Sequence, residues 1–254
     1  MNHDMPKVLV NFDYFEDSES WYRSVYRCPK MYVDLLVDNG VVPISALPFP
    51  KDKVIRDTLV NLVDGFLFIG GGDYPSSMFN YPSLSAEQPM SERRAANDLA
   101  LFQSAWLTSK PMLGICAGMQ LATLAFGGKL IPDLPDEHAF HKAVSRGEDS
   151  MHPVTIAPGR LRSILGVSEA SVNSAHHQAV DGATLSENYF IAATASDGTI
   201  EAMERRRKGF GLFLQWHPER HPVPEHRKKI FSTFSTAVLR CFDERQDQAR
   251  GIKR

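Results

Sequence analysis

The chain has 254 residues, which fits one large α/β domain or two small ones and is enough to bury a sizeable core without disulfide or metal staples. Its 28 Lys and Arg against 30 Asp and Glu leave a net charge of −2, with both signs scattered, so the basic stripe of a nucleic-acid surface is excluded. No apolar run reaches the roughly 18–20 residues of a bilayer span. Asp4 and Pro6 precede a short apolar stretch, unlike a secretory signal, so a cytoplasmic location is expected. Cysteines 28, 116 and 241 lack CxxC spacing, which argues against a disulfide framework and a cysteine zinc site.

In chain order, 7–12 (KVLVNF) reads as a first strand. Residues 30–39 follow as a helix with Pro29 at its start, Met31, Leu35 and Leu36 on one face, and Gly40 at its end. An extended run covers 41–47, and 63–69 (VDGFLFI) reads as a strand buried on both faces that stops at Gly70-Gly71-Gly72. Ser91 caps a helix to about Thr108, because Ala95, Leu99, Phe102 and Trp106 recur at helical spacing. A short strand, 111–115, then meets a helix over 117–126 with Cys116 at the junction. The second half carries short strand-like runs separated by turns, which implies antiparallel additions to a mainly parallel α/β sheet. A closing helix from Val223 dissolves into a charged tail over about 242–254, and 1–254 reads as one domain. The aromatic residues of 13–27, among them Tyr14, Phe15, Trp21, Tyr22 and Tyr26, form core or shape a ligand crevice after the first strand, and Tyr74 to Tyr81 is a second candidate for that pocket. Arg205 to Lys208 reads as a solvated hairpin turn.

Four segments carry chemistry. In Gly114-Ile-Cys116-Ala-Gly118-Met-Gln120 the cysteine sits on a sharp strand-to-helix turn, where the helix start favours a thiolate and the Ala117 N–H points at an oxyanion beside the sulfur. Gly114 and Gly118 must be small there. The alternative is a buried core cysteine. In Gln215-Trp216-His217-Pro218-Glu219 the i, i+2 spacing lets Glu219 hold His217 in one tautomer as the base a thiol nucleophile requires, although any one of nine histidines is more often a surface or core residue. Gly70 to Asp73 offers backbone N–H groups to an anion or is an ordinary turn. Val172 to Gln178 gathers polar groups suited to a small zwitterion. Its adjacent His176 and His177 point to opposite faces of an extended strand and do not readily share one ion, so no metal or other cofactor is expected.

Together and in this order, GGGD, GICAGMQ, VNSAHHQAV, ASDGTIEAME and QWHPE resemble the class I glutamine amidotransferase-like superfamily, and within it the stand-alone γ-glutamyl-γ-aminobutyrate hydrolase branch, peptidase family C26. The similarity runs from about Lys7 to Leu239. The resemblance implies a flavodoxin-like mixed sheet flanked by helices, with Cys116 as nucleophile, His217 as general base and acid, and Glu219 orienting the histidine. It assigns oxyanion N–H groups to Gly71 or Gly72 and Ala117, and a wall around a glutamyl group to Gln120, Asn173, Ser174 and His177. It implies a small-molecule γ-glutamyl amide as substrate, no nucleic-acid or membrane partner, and a homodimer as the common oligomer of such folds. Ala117 departs from the branch, which commonly has Arg there, so a charge near the substrate is missing. Two alternatives stand beside hydrolysis: a glutaminase that hands ammonia to a separate synthetase, and a catalytically silent binding module.

Overall fold

The computed structural model describes residues 4–16, 21, 24–46, 52–82 and 88–251. Its strands are β1 (Lys7–Asn11), the hairpin β2 (Asp13–Glu16) and β3 (Ser24–Arg27), β4 (Val42–Ala46), β5 (Gly65–Phe68), β6 (Met112–Ile115), the short β7 (Leu130–Ile131), β8 (Ser150–Ile156), β9 (Glu169–Ser174), the short β10 (Ala179–Val180), β11 (Tyr189–Ala195), β12 (Ile200–Arg205) and β13 (Gly211–Leu214). The α-helices are α1 (Lys30–Asp38), α2 (Lys53–Leu62), α3 (Glu92–Trp106), α4 (Ala117–Leu124), α5 (Arg160–Leu165) and α6 (Pro224–Ala249).

Nine strands form one sheet in the order β4-β1-β5-β6-β13-β12-β11-β8-β9. Pairings from β4 to β13 are parallel and those from β13 to β9 antiparallel, so the mixed α/β sheet expected from the sequence is present. The parallel half follows from its connections, because α1, α2 and α3 supply the crossovers that parallel neighbours need. Alternation along the strands splits the core in two. Leu9, Phe66, Phe68, Met112 and Phe213 pack with α2, α3 and α4, while Val8, Val10, Leu67, Leu113 and Leu212 pack with α1, α5 and α6. Both faces are covered, and β5, β6 and β13 are buried throughout.

Several elements differ from the sequence expectation. Helix α1 turns Tyr32 and Leu36 inward and leaves Met31 39% exposed, because the Tyr32 hydroxyl finds a buried acceptor. Arg205 is buried rather than solvated: its guanidinium donates to the Trp106 and Thr108 carbonyls at 2.6 and 2.9 Å and lies 4.2 Å above the Trp106 ring. Tyr74 is buried and donates to Asp98, so it does not shape a pocket. Trp21 is 93% exposed, while Tyr22 and Leu47 lie outside the described residues.

The charged tail is helical to Ala249. Asp64, fully buried ahead of β5, accepts the Lys7 N–H at 2.9 Å and two bonds from Arg245 at 2.7 and 3.3 Å, which draws the end of α6 onto the sheet. Deleting residues 242–254 strips Asp64 of its guanidinium and is expected to cost about 1–3 kcal/mol, the usual penalty for a buried polar group left short of a partner. Urea denaturation checks this, and an unchanged midpoint would return the segment to a solvated tail.

Candidate active site

The carboxyl ends of β6 and β13 meet at the centre of the sheet, where open α/β sheets place their ligand crevices. Parallel pairing sets Leu214 opposite Ile115, and the Cys116 N–H donates to the Leu214 carbonyl at 2.7 Å. Cys116 is therefore beside Gln215 and two residues from His217. Its backbone sits at φ 50, ψ −105, a left-handed conformation costly for a side chain that is neither Gly nor Asn, and α4 starts at the next residue. The turn is tight because a Cβ on Gly118 would stand 2.3 Å from the Phe68 carbonyl oxygen, and one on Gly114 2.6 Å from the Phe213 ring. The smallness expected at both positions is a packing fact.

His217 is buried, and its Nδ1 lies 2.8 Å from Glu219 Oε1. That carboxylate oxygen also accepts the Tyr32 hydroxyl at 2.9 Å and has an Arg220 nitrogen at 3.5 Å. Burial works against charge on His217, but Glu219 and the Cys116 sulfur outweigh it and lift the imidazole to about 10. Burial likewise pushes Glu219 up, yet His217 and Arg220 hold it below the ordinary carboxylate value. Trp216 points the other way, fully buried, with its indole N–H donated to His226 Nε2 at 3.2 Å; burial and its neighbours His221 and Lys229 push His226 down to about 3, so it stays a neutral acceptor. Strand-like alternation thus aims Gln215 and His217 at the sulfur and anchors Trp216 behind them. Gln215 Nε2 lies 3.6 Å from Cys116 Sγ.

A cavity of about 740 Å³ opens beside Cys116 and includes Gly71, Gly72, Gln120 and His177 of the expected residues. Ala117 opens α4, and a first-turn N–H has no partner within its helix. Two expected wall residues are elsewhere. Asn173 is buried and donates to Asp149 at 2.7 Å, and the Ser174 hydroxyl donates to the His141 carbonyl at 2.8 Å, so neither lines the cavity. The cause is that partners elsewhere claim both side chains, Asp149 for Asn173 and the His141 carbonyl for Ser174. His177 stands between two carboxylates, 3.0 Å from Asp73 and 3.1 Å from Asp133, and the Asp73 hydrogen bond outweighs burial to raise its pKa. Lys142 and Arg146 add cationic groups to the same wall. On the other side of the sulfur, Asp13 and Arg27 of the β2–β3 hairpin line a second opening with His217 and Glu219. The hairpin after the first strand therefore does shape the crevice.

The sequence reading missed the supports. Arg94, wholly buried on α3, contacts Asp13 at 2.8 Å and Asp98 at 3.2 Å and donates to the Gly70 carbonyl at 3.2 Å. Asn11 donates to Asp98 at 2.8 Å and accepts the Ile69 N–H at 2.8 Å, so this network fixes the glycine loop from beneath. A signal was available: Arg94 and Asp98 share the i, i+4, i+7 stripe with Leu101, where a charge pair is out of place unless it is buried for a purpose. Tyr32 and Gln215 carried no comparable signal.

The peptidase C26 family model matches residues 7–219. A glutamine amidotransferase-like protein of Lactococcus lactis is 31% identical over 230 residues, covering 88% of this chain and 94% of that one. The γ-glutamyl-γ-aminobutyrate hydrolase of Escherichia coli O157:H7 is 26% identical over 234 residues, covering 85% and 87%. The glutaminase domain of a Trypanosoma brucei CTPS, solved with bound acivicin, superposes with a TM-score of 0.63 at 14% identity over 92% of this chain and 94% of that one, a likeness of fold.

Gly118→Ala brings a methyl group against the Phe68 carbonyl and is expected to cost about 1–3 kcal/mol of stability, as overpacking does. Thermal denaturation measures it; a variant as stable as the parent would mean the crossing is looser than these distances say.

Proposed function

The chain belongs to the peptidase C26 family, and on that premise we propose that it hydrolyses γ-glutamyl amides through a thioester on Cys116, releasing glutamate and an amine. The observation that carries this reading is a cysteine held in a left-handed turn at a helix start, beside a buried His217–Glu219 pair 2.8 Å apart. The thiolate is the nucleophile in such chemistry. An imidazolium at His217 is its natural counter-charge and a ready proton donor.

The sulfur attacks the side-chain carbonyl of the glutamyl group, and the carbonyl oxygen takes the negative charge. In this reading the N–H of Ala117 and that of Gly71 or Gly72 receive it, each such donor being worth roughly 10²–10³ in rate. Collapse of the adduct breaks the C–N bond, and His217 passes its proton to the leaving amine. The neutral imidazole then takes a proton from water as the hydroxide adds to the thioester, and the thiolate leaves with glutamate free. Glu219 keeps one tautomer throughout and Tyr32 keeps Glu219 in place. The cavity supports a zwitterionic substrate, since Asp73 and Asp133 suit an ammonium group while Lys142 and Arg146 suit a carboxylate. Gln120 and His177 complete that wall. A location in the cytoplasm accords with this metabolism, and no helix among the described residues is long and apolar enough to cross a membrane.

Glutamate release from a panel of γ-glutamyl amides, including γ-glutamyl-γ-aminobutyrate, γ-glutamyl dipeptides and glutamine, tests the reading. Turnover of one amide well above glutamine, abolished in Cys116→Ala, is expected. Turnover of none, or survival of turnover in Cys116→Ala, would overturn it; glutamine alone turned over in the presence of a synthetase would favour ammonia supply.

The pH profile gives a second test. The imidazolium is present below about 10 and is lost as pH rises through that value. In Glu219→Gln the charge that raises it is gone, so the alkaline limb of kcat/KM should move to lower pH by about one unit or more. An unmoved limb would remove His217 from the proton transfers.

A further inference from the structure

Behind the substrate wall lies a second cluster of chemistry-bearing side chains that takes no part in the reaction above. His141, in a turn after β7, His152 of β8, His176 after β9 and Glu201 of β12 converge in the interior, with relative exposures of 0%, 3%, 6% and 0%. One ligand atom from each falls within 4.8 Å of all the others. Glu201 Oε1 lies 3.1 Å from His141 Nδ1, 3.7 Å from His152 Nε2 and 3.5 Å from His176 Nε2. A tetrahedral zinc with bonds of about 2.0–2.1 Å has ligand-to-ligand edges of roughly 3.4 Å. The three measured edges straddle that value.

The second nitrogen of each imidazole is already spent. His141 Nε2 bonds the Asp197 carboxylate at 2.9 Å, His152 Nδ1 the Pro153 carbonyl at 3.3 Å and His176 Nδ1 the Gln178 carbonyl at 3.0 Å. Carbonyls and carboxylates only accept, so these nitrogens carry the N–H, and in the neutral imidazoles that a metal ion requires the other three present lone pairs toward Glu201. Those three nitrogens and both Glu201 oxygens make no hydrogen bond. With the imidazoles neutral, four acceptors aim at one buried point and repel one another unless a metal ion, or a proton on His141, whose pKa its carboxylate neighbours raise against burial, lies between them. Outward bonds to carbonyl or carboxylate are also how metal-bound histidines are oriented. Phe140 packs against His141 and His152 at 4.3 and 5.4 Å between ring centres and walls the point from water.

We infer that His141, His152, His176 and Glu201 form a structural binding site for a divalent transition-metal ion, with zinc the best fit to three imidazoles and one carboxylate. All four tetrahedral positions are filled by protein, which marks a site that ties segments together rather than one that activates water. It joins the 136–141 turn, β8, the segment after β9 and β12. The tie reaches the wall directly, since the His141 carbonyl accepts both the His176 N–H and the Ser174 hydroxyl. The sequence argument against metal compared only His176 with His177, and that pair does diverge: His177 turns to Asp73 and Asp133, while His176 finds its co-ligands on other strands.

Elemental analysis of untagged full-length protein, purified without chelator, tests the inference. About one zinc per chain is expected, retained in Cys116→Ser and lost in both His152→Ala and Glu201→Gln. Dialysis against a chelator should lower the melting temperature of the parent protein, and Co²⁺ added afterwards should give the intense visible absorption of four-coordinate cobalt. If the ligand variants fail to fold, X-ray absorption at the zinc edge of the parent protein decides: three imidazoles and one carboxylate oxygen support the site, and a sulfur ligand overturns it. Parent protein that carries no transition metal and takes up none on titration, or variants that bind as much as the parent, would likewise overturn it. The cluster would then be a network that shares protons.

Discussion

The close crossing of β6, α4 and the neighbouring strands governs the molecule. Cys116 adopts a conformation that costs about 1–3 kcal/mol in isolation, and it persists only because its surroundings leave no alternative. Phe68 of β5 presses on Gly118 from one side and Phe213 of β13 on Gly114 from the other. The same parallel pairing that traps the elbow delivers Gln215 and His217 to its sulfur, since the register Leu214 to Ile115 brings the two strand ends level. The strained elbow and the placing of His217 beside its sulfur therefore have one source.

Charge is brought into this interior in closed sets. Arg94 is matched by Asp13 and Asp98, and Glu219 by His217, Tyr32 and Arg220, with Arg220 donating two bonds to Asp149 at 2.8 and 3.0 Å. Removing one member of such a set leaves a buried charge without a partner, which costs more than the pair contributes. The glycine loop and the histidine are thus held by groups whose own positions are fixed, and the rigidity a nucleophilic site needs comes from the second layer.

What could be read in the sequence was whatever depends on local order. The buried strand at 65–68, the helix capped by Ser91, whose side chain accepts the Arg94 N–H, and the Cys116 junction all follow from periodicity and turn chemistry. What could not be read depends on register between distant segments. Tyr32 reaches Glu219 across 187 positions, and Arg245 reaches Asp64 across 181, so neither spacing leaves a trace in a single chain. Asn173 and Ser174 show the limit from the other direction: the polar run was visible, but which of its side chains face the cavity was decided by partners at Asp149 and His141.

His176 and His177 bring these strands of reasoning together. Although adjacent, His176 turns toward the buried cluster and His177 toward Asp73 and Asp133, so one peptide serves both. Ala117 puts no charge at the elbow itself, and the charged groups that line the cavity come from Asp73 and from two segments, 133–146 and 175–178. Each segment carries one histidine of the buried cluster, His141 in the first and His176 in the second, with a cavity-lining group next to it in the chain: Lys142 beside His141, His177 beside His176. The placement of these cavity groups relative to the sulfur thereby depends on whatever holds the two histidines and Glu201 together.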